Sequence, residues 1–299
     1  MPVVDAETLP KEHPERSREA CRTLERGNIL LWRETPFEIS SSDRELLLRQ
    51  RQTEAGYHKN IAYRPGSDRV TGVARQQEED ARELKRVLRN YSRAAVEFAS
   101  RALAPYASRW RLDYASFRPQ EEAGRKLARH SRNDLLHVDS FPTRPTNGDR
   151  IFRLFTNVNP KAPRVWRTGE TFPELAERFA VSSGLLSKAF RPGAGKTLAR
   201  LLTSAGLPVR ARPPYDEFMH RFHNFMKEND AYQNAARSET ISFDPGATWM
   251  VFTDMVAHSV LSGQYALEQT FLIARESLLL PESAPVNVLE KLAGRELTN

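Results

Sequence analysis

The chain has 299 residues, enough for one large domain or two small ones with an ample core. Its single cysteine, Cys21, rules out an internal disulfide and fits a reducing compartment. The net charge of +7, from 36 Arg and 9 Lys against 38 acidic residues, points to an anionic partner, although an arginine-rich genome composition gives the same balance.

No block of five or more like charges, zinc-finger spacing, RNP-like aromatic signature or phosphate-binding glycine loop is present, so no nucleic-acid partner is expected. A phosphorylated or carboxylate-bearing lipid fits the charge better. The start, Met1-Pro-Val-Val-Asp-Ala-Glu, has neither a basic n-region nor an apolar run, and no stretch approaches the ~20 apolar residues of a membrane span. A cytoplasmic location is the expectation.

In chain order, residues 1–55 are polar, with short strands expected at 28–32 and 37–39 and a helix from Asp43 capped by the serines before it. Over 76–104, Leu84, Val87, Leu88, Tyr91, Ala95, Phe98 and Leu103 recur at helical spacing and predict a helix against a sheet. Residues 116–160 read as several strands. Residues 161–235 break the β pattern, with helices expected at 173–179, 195–203 and 215–227. Strands resume from Thr240 to Ala274, and a short helix ends the chain. The expected organisation is one domain: a helical N-terminal region 1–110, a barrel core 111–160 and 236–280, and a helical insertion 161–235.

The chemistry lies in His137-Val138-Asp139 and the distant His258. Two imidazoles and one carboxylate occupy one face of a ferrous ion and leave the other face for a co-substrate and O₂. His137 and Asp139, two apart, point to the same side of an extended segment. Chance alone supplies about one His-x-Asp/Glu in a chain with 7 His and 38 acidic residues, and His13-Pro14-Glu15 is a second. Context separates the two. His137 precedes the turn-rich stretch 142–148 and the aromatic strand 150–158. His258 follows the turn Asp244-Pro245-Gly246 and the strand 248–252. Both clusters therefore stand at strand ends joined by turns, as in a double-stranded β-helix, a jelly-roll relative. The fold expected is mainly β with flanking helices (α+β).

Several stretches carry a family resemblance: Gly27-Asn-Ile-Leu-Leu-Trp32 with Phe37, His58-Lys-Asn-Ile-Ala-Tyr-Arg-Pro65, and Leu136-His-Val-Asp-Ser-Phe-Pro-Thr-Arg-Pro145. Others are Arg153-Leu-Phe-Thr-Asn-Val-Asn-Pro160, Arg164-Val-Trp166, and Gln264 to Phe271 after His258. Over about residues 25–280 the chain resembles the bacterial Kdo 3-hydroxylases, iron(II)/2-oxoglutarate-dependent dioxygenases acting on the Kdo sugar of the lipopolysaccharide inner core. The resemblance implies Fe(II) bound by His137, Asp139 and His258, 2-oxoglutarate and O₂ as co-substrates, and succinate and CO₂ as co-products. It also implies an anionic Kdo-bearing glycolipid as substrate, met at the cytoplasmic face of the inner membrane. A 2-oxoglutarate oxygenase with a protein or small-metabolite substrate, and a binding-only β-barrel, are the competing readings. The intact His-Asp-His set opposes the latter.

The distal carboxylate of 2-oxoglutarate needs a cationic anchor, for which a bidentate Arg is the strongest choice. Many such enzymes place it about ten residues after the distal histidine. Here no Lys or Arg occurs between His258 and Ala274, and Gln269 takes that place. Arg153, on the strand after Asp139, is the expected anchor. It shares a face with Phe155 and Asn157, while Arg150 is a weaker rival on the opposite face. The cofactor set expected is Arg153, Asn157 and Gln269. For the sugar, Arg144, Arg164, Trp166 and Arg167 are candidates, with Lys59, Asn60 and Tyr63 added by resemblance alone. Asp254 is read as a supporting residue, since Asp139 fills the carboxylate slot.

Overall fold

The computed structural model describes residues 3–50, 60–73, 78–190 and 212–298. It is a mixed α+β fold with an eight-stranded and a three-stranded sheet. The large sheet runs β1 (Val3–Asp5), β2 (Ile29–Trp32), β9 (Thr248–Phe252), β6 (Arg150–Asn157), β11 (Ala266–Ile273), β5 (Trp110–Arg118), β3 (Ile61–Arg64) and β4 (Arg69–Thr71). Only β1 and β2 are parallel; every other pair is antiparallel. β11 lies between β5 and β6, and all eight of its residues are buried. Its sequence accordingly shows no alternation of apolar and polar residues. The small sheet runs β10 (Val256–Ser262), β7 (Arg164–Thr171) and β8 (Glu239–Phe243).

An aromatic cluster joins the sheets. Phe155 and Trp249 of the large sheet stack at 5.2 Å, and Trp249 meets Phe243 at 4.0 Å and Trp166 at 5.6 Å from the small one. Each such pair adds about 0.5–1.5 kcal/mol beyond area burial.

Helices cover the outer face of the large sheet. Ser40 caps α2 (Ser41–Arg49) by accepting the Asp43 N–H. α3 (Glu78–Ala102) buries Leu84, Val87, Leu88, Tyr91, Ala95 and Ala99 as one stripe. α1 (Glu15–Glu25) packs beside β2. The chain from β7 to β8 carries α4 (Phe172–Phe179), α5 (Leu185–Phe190), α6 (Pro214–Glu228) and α7 (Asp230–Ala235), and α8 (Pro285–Ala293) closes the chain. Thr171 and Glu174 form a capping box with Pro173 in the first turn, so α4 starts where the sequence says it must. No helix among the described residues is long and apolar enough to cross a membrane.

Three expectations need correction. Residues 37–39 form no strand; Phe37 instead packs on Tyr91 and Phe98 from a loop. Between β5 and β6 only a 3-10 turn at Arg129–Ser131 is regular. The stretch 161–235 is not wholly helical, because β7 lies inside it. Alternation of buried Arg164, Trp166 and Thr168 with less buried Val165 and Arg167 makes it a strand, but the buried arginine disguises the pattern. The helix expected at 195–203 lies outside the described residues.

Candidate active site

His137 and Asp139 lie in an extended loop that β10 holds in place. His137 and His258 exchange both backbone hydrogen bonds, at 3.1 and 2.9 Å, as an isolated antiparallel bridge. The Asp139 N–H donates to the Thr253 carbonyl at 2.8 Å. His258 sits inside β10 rather than just past a strand, because the chain turns at 253–255 and pairs again with β7. The backbone thus brings two residues 121 positions apart face to face.

The ring geometry suits a metal. His137 Nδ1 bonds the Leu135 carbonyl at 2.7 Å and His258 Nδ1 bonds the Val256 carbonyl at 2.8 Å. Each Nε2 is thereby aimed at Asp139: His137 Nε2 is 3.7 Å from Oδ1, and His258 Nε2 is 4.0 Å from Oδ2. Backbone carbonyls on the far nitrogen fix tautomer and orientation in metal-bound histidines. Burial holds both imidazoles below their ordinary pKa and therefore neutral, the form that ligates. For Asp139, burial opposes the charge, but the Arg153 guanidinium outweighs it and keeps the carboxylate ionised. Trp166 stacks on the His258 ring at 5.3 Å. A third imidazole, His223 of α6, stands close by: the ligand atoms of His137, Asp139 and His223 all lie within 4.8 Å of one another.

Beside this centre is a cavity of about 360 Å³ with a cationic wall. Arg153 bridges Asp139 at 3.0 Å and Glu268 at 2.6 Å. Arg118 holds the other oxygen of Glu268 at 2.6 Å. Arg164, 1% exposed, bonds the Gly263 carbonyl at 3.0 Å and lies 3.5 Å from Glu122. Burial and the nearby Arg118 push the Arg164 guanidinium down to about 10. Burial works against ionisation of Glu122 and Glu268, yet the surrounding arginines hold both below the usual range. At the mouth, Arg144 pairs with Asp113 at 2.6 Å and lies over the rings of Tyr114 and Phe141. Among the described residues, Asn60 Oδ1, Ser140 Oγ, Arg153 Nε and Arg164 Nε are buried without a partner, and all four residues line the cavity. An unmet buried polar atom costs about 1–3 kcal/mol, so such a cluster marks a place built for a polar ligand.

The structure therefore brings His137, Asp139, His258, Arg153, Arg144, Arg164, Trp166 and Asn60 together at one cavity. It places five expected residues elsewhere or out of sight. The Asn157 amide donates to the carbonyls of Ala162, Phe243 and Asp244, so it fastens loops. Gln269 faces α3, accepting from Ser92 and donating to Asp113 O, because strand alternation turns Glu268, not Gln269, to the cavity. Arg167 bonds Ser238 and the Gln233 carbonyl on the opposite face of β7, and the Tyr63 hydroxyl donates to Asp68. Lys59 lies outside the described residues. Arg150 and Asp254 form a buried pair behind the sheet, as a supporting role for Asp254 requires.

Arg118, Glu268, Asp113, Tyr114, His223 and Lys227 line the cavity without having been singled out. A signal existed for the first two. Each is a charge within a strand segment predicted to be largely buried, and such a charge demands a partner. His223 and Lys227 share one face of α6 at i and i+4, a weaker sign.

The sequence matches the family described as 3-deoxy-D-manno-oct-2-ulosonic acid (Kdo) hydroxylase over residues 7–296. The chain belongs to the Kdo hydroxylase family. The crystal structure of the Kdo hydroxylase KdoO, a non-heme Fe(II) α-ketoglutarate-dependent dioxygenase bound to α-ketoglutarate and Fe(III), is similar along the whole length. It has 32% identity and a TM-score of 0.83, covering 99% of this chain and 97% of that one. A KdoO complex with succinate and Fe(III) is equally similar, at 32% identity and a TM-score of 0.83, covering 100% and 98%. No curated protein matches. This Kdo hydroxylase family member is thus an Fe(II)/2-oxoglutarate-dependent dioxygenase. Its donor set fits the iron: two neutral imidazoles with free Nε2 and one ionised carboxylate leave positions open for a chelating 2-oxoacid.

Proposed function

We propose that His137, Asp139 and His258 hold the iron, that Arg153 with Arg118 and Arg164 receives the carboxylates of 2-oxoglutarate, and that the two sheets form a double-stranded β-helix around them. The site then hydroxylates C3 of a Kdo sugar in lipid A or the lipopolysaccharide inner core. One observation carries this reading: the free Nε2 atoms and the arginine wall converge on one cavity. Charge supports it as well. Arg118, Arg153 and Arg164 are balanced by Glu122, Glu268 and Asp139. A dication and a dianionic 2-oxoacid together add no net charge, so both enter without breaking that balance.

When bound, iron with 2-oxoglutarate and O₂ supplies the oxidising chemistry and yields succinate and CO₂. The chain's own groups position and shield. Arg153 keeps Asp139 ionised and offers its unpartnered Nε to an incoming carboxylate. Trp166 fixes the His258 ring and closes the cavity behind it. Arg144, over Tyr114 and Phe141, presents a cation and apolar ring faces at the mouth, matching an acidic sugar. The Asn60 and Ser140 oxygens are free for sugar hydroxyls.

The +7 charge further supports peripheral contact with the cytoplasmic face of the inner membrane. Basic residues near an anionic surface contribute about 1 kcal/mol each. The protein should sediment with Kdo-bearing anionic vesicles at low salt and be released at high salt; absence of sedimentation under both conditions rejects membrane contact. Mass spectrometry of lipopolysaccharide from cells with and without the protein tests the substrate. Kdo should gain one oxygen only when the protein is present, and an unchanged Kdo overturns the assignment.

A further inference from the structure

Four strands build the cavity floor in register. Phe155 of β6, Glu268 of β11, Ser116 of β5 and Ala62 of β3 stand side by side, and all four line the cavity. Successive side chains alternate faces. Arg64 therefore shares the cavity side of β3 with Ala62, as Tyr114 and Arg118 share that of β5 with Ser116. Tyr63 points the other way, to Asp68. One step beyond the Tyr63–Ala115 pair, the Arg64 guanidinium lies 4.9 Å from the centroid of the Tyr114 ring, and Arg144 shares that ring at 3.9 Å. Tyr114 and Arg118 are four residues apart, so the row leads about 13 Å outward from the arginine wall to the mouth.

Arg64 carries a charge that no described residue answers. Its register partner on β4 is Arg69. Residues paired in this way share a face with their Cβ atoms about 4.5–5.5 Å apart, and like charges there repel. Both are exposed, and among the described residues neither side chain makes a hydrogen bond or ion pair. The turn between them brings one carboxylate, Asp68, but Arg89 and Lys85 of α3 and the Tyr63 hydroxyl take it. Arg144 differs, because Asp113 answers it at 2.6 Å. The inner wall is balanced charge for charge, while the mouth keeps positive charge over. A lone cation on an edge strand deters unwanted strand pairing, and Arg69 alone meets that need. It does not require a second arginine opposite, on the strand that lines the cavity.

We propose that Arg64 and Arg69 form an outer anion subsite that receives a second acidic group of the glycolipid, a phosphate or the carboxylate of a neighbouring acidic sugar, while the reacting Kdo lies over the small side chains of Ala62 and Ser116. The proposal rests on the Kdo-glycolipid reading above. An oxyanion between the two guanidiniums replaces their repulsion with charge-assisted hydrogen bonds, and the planar fork of arginine suits carboxylate and phosphate alike. The subsite selects which glycolipid is accepted and leaves the oxidising chemistry to the inner wall.

The test follows succinate formation by the full chain on a Kdo-bearing lipid A precursor that carries its phosphates and two acidic sugars. Arg64→Ala and Arg69→Ala should each raise KM for this substrate about tenfold, the scale of a lost hydrogen bond to a charged group. The effect on kcat should stay within about twofold, as for lost binding that is equal in ground and transition states. The comparison is repeated with the precursor stripped of phosphate and with one bearing a single acidic sugar. The group held by the subsite is the one whose removal raises the parent's KM and shrinks the difference between parent and variants to less than about twofold. Phosphate and sugar carboxylate are thereby told apart. Arg64→Lys keeps the charge and should recover most of the loss. Arg69→Ala removes a repelling neighbour and should melt no lower than the parent. Equal KM values for parent and both alanine variants on the full precursor overturn the proposal. So does a difference of the same size on all three substrates, which marks a loosened hairpin. If the parent turns over none of the three, the Kdo-glycolipid reading itself fails, whatever Arg64 and Arg69 do.

Discussion

Arg150 and Arg153 stand three residues apart on β6 and live in opposite worlds. Arg150 is fully buried behind the sheet, its Nε and one terminal nitrogen on the two oxygens of Asp254 and its guanidinium over Phe252. Arg153 opens onto the cavity, divided between Asp139 and Glu268, with its Nε unmet. The first leaves only Nη1 without a hydrogen bond and does not line the cavity. The second is an open set whose partners belong to the site. A buried arginine is thus read by whether it and its partners line a cavity, more than by its depth.

Four predictions test that contrast. The largest effect is at the metal that Arg153 faces. His258→Ala or Asp139→Ala should reduce iron-dependent succinate formation by about a hundredfold or more, since even residues behind the ligands change metal affinity 10–100-fold. Thermal melting should show the fold retained, and full turnover in either variant breaks the account. Next is the pair behind the sheet. Arg150→Ala leaves Asp254 charged and buried, a loss of about 3–5 kcal/mol, read as a melting temperature lower by roughly 10 °C. The surviving folded protein should keep its apparent 2-oxoglutarate affinity. Third, Arg153→Ala should reverse that pattern, with the 2-oxoglutarate requirement raised about a hundredfold, or about 2.7 kcal/mol, and a smaller melting shift, because Glu268 keeps Arg118. A larger loss of 2-oxoglutarate affinity in Arg150→Ala than in Arg153→Ala would invert the comparison.

The smallest effect is on pH dependence. Glu268 has a lowered folded pKa, so its contribution to stability is full above the unfolded value of about 4.3 and fades as pH falls through the folded value. Asp254 is raised, because burial outweighs Arg150, and its contribution runs the other way: full below the unfolded value and lost as pH rises. The melting difference between parent and Glu268→Gln should therefore hold from pH 7 down to about 4.3 and narrow below it. A constant difference would remove the electrostatic part of the argument.

How much of this was legible in the sequence depends on how far the signal travels along the chain. The α3 stripe, the 248–252 strand and the turn at Gly246 are local and stand where the pattern puts them. So does the His137–Asp139 pair, because two residues of extended chain must share a side. β7 was hidden, since its buried Arg164 looks like a loop residue until Glu122 and the Gly263 carbonyl are seen to receive it. The choice between Glu268 and Gln269 needed the face of β11 toward the cavity. A strand buried on both sides carries no alternation to reveal that face. His223 reaches the centre only through the packing of a helix, 85 residues past Val138, which no spacing rule encodes.

The central claim is that the His-Asp-His centre and its arginine wall couple 2-oxoglutarate oxidation to hydroxylation of Kdo. Its most direct test incubates the purified protein with Fe(II), 2-oxoglutarate, isotopically labelled O₂ and a Kdo-bearing lipid A precursor. Succinate and the mass of the Kdo residue are followed together. One labelled oxygen on Kdo for each succinate formed is the predicted result. Succinate formed while Kdo keeps its original mass would contradict it.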